Sequence, residues 1–140
     1  MWFDQLSARD IAVSGLKAQR TRMNVIANNI ANAQTTRTPE GGAFRRQLVI
    51  FRGMQMRGKR IPDELGVEVK EIRCDPSPFS RVYDPEHPDA DTEGYVEYPN
   101  VSIAVEMTNL ISAQRAYEAN IAVVVSDKRM GQKALEIIQR

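Results

Sequence analysis

All seven prolines of this 140-residue chain fall between Pro39 and Pro99, and both flanks are free of them. Proline lacks an N–H and clashes with the preceding helical turn, so its placement confines long helices to the two ends. The chain thereby divides into residues 1–33, 34–100 and 101–140. In the first part Gly15 is the only glycine, and Leu16, Met23 and Ile30 recur every seven residues, with Val13 and Ala27 at neighbouring helical spacings. This heptad-like recurrence predicts an amphipathic helix that runs out near Asn32, before Thr35, Thr36 and Pro39. Ser14-Gly15 weakens it by roughly 1 kcal/mol against better helix formers, and marks a bend or a place where another backbone comes close.

After Pro99 the helical period returns. Ile103, Met107, Leu110, Gln114, Tyr117, Ile121, Val124, Lys128, Gly131, Leu135 and Ile138 alternate spacings of four and three. A second row (Ala113, Ala116, Val123, Met130, Ala134, Ile137) makes the apolar face wider than a two-stranded seam requires. At about 1.5 Å per residue such a helix reaches on the order of 55 Å. The middle has shorter apolar runs, which predict strands at Phe44–Phe51, Val67–Ile72, Phe79–Tyr83 and Tyr95–Tyr98, with a proline- and acid-rich loop over 84–94.

The expected fold class is therefore α+β: two long terminal helices packed as an antiparallel, coiled-coil-like hairpin, with a small β-hairpin and loop insert between them. Periodicity assigns helix packing to Leu16, Met23, Ile30, Met107, Leu110, Tyr117, Ile121, Val124 and Leu135. One partner covers one seam of each helix, so the second row of the C-terminal helix stays wet in the single chain. Burying each large side chain is worth roughly 1.5–3 kcal/mol, which drives association. Repeated heterologous contacts of this kind give open helical filaments.

Charge is balanced overall, with 19 basic and 18 acidic residues, so no global field draws nucleic acid or an anionic membrane. It is segregated locally. Arg37, Arg45, Arg46, Arg52, Arg57, Lys59 and Arg60 stand with one acid, Glu40; Asp84, Glu86, Asp89, Asp91, Glu93 and Glu97 stand with no base. These are two solvated surfaces, or complementary patches that set register between neighbouring subunits. A competing reading puts nucleic acid on Arg45–Arg60, with Phe44 and Phe51 stacking on bases, and would demand steep salt dependence.

The lone Cys74 excludes an internal disulfide and a thiol zinc cluster. The longest apolar run, Ile121–Val125, is far short of the ~20 residues a bilayer needs, so no membrane insertion is expected. Asp4, Arg9 and Asp10 interrupt the place where a cleavable signal peptide would carry its apolar core. Asp89–Gly94 imitates the opening of a calcium loop, but Asn100 replaces the glutamate required at its twelfth position. His87 is the only histidine. No catalytic constellation assembles from these residues, and no metal or cofactor is expected.

Specific strings narrow the field. Ser14-Gly15-Leu16, Ala18-Gln19-Arg20, Met23-Asn24-Val25-Ile26-Ala27-Asn28-Asn29-Ile30-Ala31-Asn32 and Thr35-Thr36-Arg37-Thr38-Pro39-Glu40-Gly41-Gly42 closely resemble the N-terminal signature of bacterial flagellar rod and hook proteins. Phe44-Arg45-Arg46-Gln47, the run Val82–Asp91, Pro99-Asn100-Val101 and the C-terminal Glu106-Met107, Arg115-Ala116-Tyr117-Glu118-Ala119-Asn120 and Lys133-Ala134-Leu135-Glu136 are similar to proximal-rod members of that family. The resemblance implies a structural subunit of the basal-body rod that transmits torque across the periplasm. It also implies export through the flagellar type III apparatus. Implied partners are other proximal and distal rod proteins, the adapter at the membrane-embedded ring, and further copies of itself.

On the same resemblance Asn24, Asn28, Asn29, Asn32, Arg37, Pro39, Gly41, Gly42, Arg115 and Asn120 are motif residues with an intersubunit role. Asn24, Asn28 and Asn32 share one helical face. They form a solvent-facing stripe with Asn32 capping the helix, or supply amide hydrogen bonds to a neighbour's backbone. Tyr117 packs on the seam with its hydroxyl at the edge. Arg115 pairs with a carboxylate across an interface or is an ordinary exposed arginine.

Overall fold

The computed structural model describes residues 8–54 and 66–138. The expected helical residues 1–7 and 139–140, and the segment 55–65 with Arg57, Lys59 and Arg60, lie outside them. Helix α1 (Ala8–Ala31) is followed by strands β1 (Gln47–Gly53), β2 (Val67–Cys74), β3 (Ser80–Tyr83) and β4 (Tyr95–Tyr98), then helix α2 (Ile103–Ile138). The fold is α+β, two helices with a small β insert between them.

Each helix end has an identifiable cause. At the end of α1 the Asn28 carbonyl accepts from Asn32 N at 3.1 Å and also from the Asn32 side-chain amide at 3.0 Å, and that amide donates to the Asn28 side-chain oxygen at 3.1 Å as well, which ties down the last turn. Ser102 supplies the carbonyl for the first bond of α2, from Glu106 N at 2.9 Å. Serine at that position suits a helix start.

The strands pair as two separate antiparallel ribbons, β1 with β2 and β3 with β4. A register shift between Ile50 and Phe51 bulges β1. That strand begins at Gln47, not at Phe44 as its apolar run predicts. The N–H of Phe44 is spent on Thr35 O at 2.9 Å, and that of Arg46 on Asn100 Oδ1 at 2.8 Å, so neither joins the ladder. Strand β2 runs on to Cys74, β3 starts at Ser80, and β4 has its expected bounds. The first ribbon lies against α1, where Val13 and Ala18 share a cleft with Val67 and Val69, and Val25 and Ile26 another with Leu48, Val49 and Phe51.

The two helices are antiparallel. Gly15 faces the Asn120 side chain, and Asn29 bonds Glu106, so the step forward along α1 equals the step back along α2. The buried positions of this seam are mostly small or polar, Ala12, Gly15, Ala18 and Asn29 on α1 with Glu106 and Ala113 on α2, and Val25 and Ile26 are the larger side chains buried among them. Gly15 is explained by a side chain and not by a second backbone. A Cβ there would stand 2.9 Å from Asn120 Nδ2, whose amide is itself held by the Ala116 carbonyl at 2.9 Å. Its neighbour Ser14 takes the other contact, accepting from Val67 N at 3.1 Å beside Gly66, while donating to Ile11 O at 2.6 Å.

The Gly15–Asn120 contact yields a double-mutant test. Alanine has about 1 kcal/mol more helix propensity than glycine, so Gly15→Ala should show that gain only where the amide is gone. Chemical denaturation should find Gly15→Ala more stabilising in an Asn120→Ala background than in the parent, by on the order of 1 kcal/mol. Equal effects in both backgrounds would remove the contact from the packing scheme.

Candidate functional site: an outward apolar face and a buried polar joint

Helix α2 turns its large apolar side chains outward. One exposed flank carries Ile103, Met107, Ile111, Ile121 and Val125, and another Val105, Val123, Met130 and Ile137. By the hairpin register, α2 past Asp127 has no counterpart on α1 among the described residues, and there Leu135 and Ile138 are also exposed, the latter 80 %. Of the residues that periodicity assigns to packing, Leu110, Tyr117 and Val124 are half-buried, whereas Met107, Ile121 and Leu135 are exposed. On α1, Leu16, Met23 and Ile30 are half-buried beside a seam that runs through Gly15, Ala18, Val25, Ile26 and Asn29.

Where the helices meet the insert, a polar joint is closed off from water. Asn29 is 0 % and Glu106 1 % exposed. The Asn29 amide donates to Gln47 O at 2.8 Å and to Glu106 Oε2 at 2.9 Å, and its oxygen accepts from Gln47 N at 2.9 Å. Arg46 reaches Glu106 Oε1 from Nε at 2.9 Å and from Nη2 at 2.5 Å, and touches Asp75 Oδ2 from Nη1 at 3.3 Å. Asn100 accepts from Arg46 N and donates to the carbonyls of Asp75 and Ser77 at 3.3 and 3.1 Å. Four parts of the chain therefore converge: the end of α1, the approach to β1, the turn after β2, and the first turn of α2.

Burial lowers the Arg46 pKa, but the hydrogen bonds and charge of Glu106, then those of Asp75, more than offset this and leave it raised. The Ser77 hydroxyl and then its N–H hold Asp75 below the ordinary carboxylate range, against burial, with Arg46 adding to the effect.

Sequence reading missed Arg46, Asp75, Asn100 and Glu106 as a unit. A signal existed for Glu106, the only acid in the first four turns of α2, standing on the same face as Leu110, Ala113 and Tyr117. The asparagines divide. Both amide hydrogens of Asn29 are committed inside the chain, so it has none for a neighbour. Asn28 bonds Gln47 Oε1 at 3.2 Å and Asn32, while Asn24 is exposed.

The string Thr38-Pro39-Glu40-Gly41-Gly42 is a tight turn. Gly41 N bonds Thr38 O at 3.0 Å, with Pro39 where its fixed φ suits such a turn, and Thr38 N bonds Gly42 O at 2.9 Å. Gly41 and Gly42 have φ of 92° and 74°, a region that disfavours side chains. Arg115 is exposed and without an ion pair among the described residues.

The segregated charges meet partly within the chain. Arg37 pairs with Asp89, which also accepts from Thr36 Oγ1 at 2.8 Å, and Arg81 pairs with Asp91 at 2.7 Å. Hydrogen bonding from Thr36 leads in lowering the Asp89 pKa, and the Tyr95 N–H in lowering that of Asp91. Arg45 bonds the Asp75 and Ser77 carbonyls and lies over the Phe79 ring, and Arg52 pairs with Glu68. Each described arginine from 37 to 52 thus has a partner inside the chain, which weakens the nucleic-acid reading.

Comparison with known proteins agrees with this layout. The family model for flagella basal body rod proteins matches residues 10–37, and that for the C-terminal part of flagellar basal body rod FlgEFG proteins matches residues 92–137. The chain is 48% identical to the flagellar basal-body rod protein FlgC of Borreliella burgdorferi, over 95% of this chain and 97% of that one. It is 41% identical to the FlgC of Yersinia enterocolitica, over 96% and 98%, and 40% identical to that of Bacillus subtilis, over 91% and 94%.

Two outcomes follow from the joint and the acidic loop. Glu106→Leu leaves Arg46 with Asp75 as its one ionic partner and Asn29 with an unanswered amide hydrogen, and should cost about 3 kcal/mol in denaturant titration. Asp75, Asp89 and Asp91 have folded pKa values below their unfolded ones. They therefore add stability above the ordinary carboxylate range, and lose it as pH falls through the depressed folded values. Melting temperature should drop across that acidic window, and Asp91→Asn should flatten the drop; an unchanged slope would show that Asp91 is not a source of it.

Proposed function

The chain belongs to the flagellar basal-body rod protein family, and on that premise we propose that it is a structural subunit of the proximal rod that carries torque by packing its α2 flanks against neighbouring subunits. The observation that supports this reading is the inverted polarity of the helical hairpin. The buried side of α2 carries only Glu106 and Ala113, against mostly small and polar residues of α1, while Ile103, Met107, Ile111, Ile121 and Val125 face outward along one flank. Single exposed apolar residues are ordinary on a protein surface, but an aligned row marks a contact surface.

Its neighbours are other rod proteins, the adapter at the membrane ring and further copies of itself, and its route is the flagellar type III apparatus. No helix among the described residues is long and apolar enough to cross a membrane. Its work is mechanical and not catalytic.

Ile111 and Ile121 are 53 % and 41 % exposed, so replacing either by Asp removes little internal packing. Each variant should fold within about 0.5 kcal/mol of the parent, as surface changes do. Each should be exported yet be absent from purified basal bodies, with swimming in soft agar lost. Parental swimming by both variants would count against α2 as the packing surface.

A further inference from the structure

The α1–α2 seam does not by itself define one register. Apart from Val25 and Ile26, which also pack on β1, its buried apolar positions are alanine and glycine, which make shallow contacts that a neighbouring heptad could reproduce. Sliding α2 by one heptad places Ala113 opposite Gly15 and Glu106 opposite Arg22. That puts the smaller Ala113 where the Asn120 amide lies over Gly15, which meets no steric bar, and keeps a carboxylate beside a guanidinium. The polar joint is different, because its partners lie on several segments at once. Only the observed register lets Glu106 meet Asn29 and Arg46 together while Asn29 holds both backbone groups of Gln47.

We propose that the Asn29–Glu106–Arg46 cluster sets the register of α1 against α2, and with it the height at which the β insert is held on the hairpin. A buried polar side chain can specify helix pairing through directional bonds while adding little net stability. Asn29 and Glu106 are positioning residues in this sense. The consequence for rod assembly rests on the function proposed above, whereas the register itself is a property of the single chain.

The test reads register directly on purified full-length chain, so a failure of rod incorporation leaves it untouched. In a Cys74→Ser background, one cysteine pair replaces Gln19 and Ala116, positions opposed in the observed register, and a second replaces Gln19 and Asn109, opposed after a one-heptad slide. The parent should form the first disulfide over the second by at least about twenty to one, as a polar register determinant requires. Glu106→Gln, which keeps the shape and one acceptor oxygen while turning an NH2 towards the other donor, should weaken that preference without reversing it.

The combined Asn29→Leu, Arg46→Met and Glu106→Leu chain should stay helical by circular dichroism, with the preference reduced to within about threefold. Parental preference in this apolar chain would overturn the assignment. So would its loss of helix, since the cluster would then supply stability and not register. A parent that links both pairs equally, or neither, would overturn it as well.

Discussion

A carboxylate sealed from water at the base of a helix must be answered from several directions at once, and Glu106 is answered by Arg46 and Asn29. Desolvating such a charge costs several kcal/mol, which the pairing recovers only with good geometry. That demand fixes where the other parts can be. Arg46 sits just before β1, so β1 has to start at the joint; Asn29 lies two residues from the end of α1, so that helix has to arrive there too. Asn100 then ties the entry of α2 to the turn after β2. Few strand-to-helix apolar contacts are needed to orient the insert, because hydrogen bonds already do so.

The same economy of apolar material inside the chain explains its surface. A hairpin that closes largely on Ala12, Gly15, Ala18 and Ala113 leaves many of the larger side chains of α2 unused inside the chain. Those side chains lie on the flanks of α2, each with roughly 1.5–3 kcal/mol to gain on burial. In a chain whose final state was solitary this would be an aggregation liability. On the function proposed above it is the surface that would join subunits, and the free chain would be an incomplete folding unit.

Sequence periodicity found both helices, the antiparallel hairpin and the last strand, because proline placement and the 3.6-residue repeat are local properties. It centred the α1 seam one residue away from the buried Gly15 and Asn29, since a hydrophobic repeat locates apolar residues without saying whether they meet a helix of the same chain or of another. Leu110, Tyr117 and Val124 lean inward while Met107, Ile121 and Leu135, from the same row, point out. The start of β1 was illegible for a related reason: Asn100, more than fifty residues away, takes the Arg46 N–H. Asn29 reads from sequence as a motif residue with an intersubunit role, because its partner on α2 is invisible to any local rule. Pro39, Gly41 and Gly42, by contrast, carry their turn in their own backbone preferences.

The two kinds of contact along the hairpin resist different loads. Closely approaching small residues oppose separation and bending, because any gap forfeits dispersion contacts, but a smooth surface of methyl groups offers little against sliding along the helix axis. Directional bonds oppose sliding, since a displacement of one turn breaks them all and leaves a charge without its partner. The joint at Asn29, Arg46 and Glu106 holds one end of α1 in this way, and the Asn120 side chain lies close against Gly15 nearer the other end. A torque-bearing subunit needs both properties: load applied to the outer flanks of α2 reaches the insert only if the helix that receives it cannot slip past the helix that holds it.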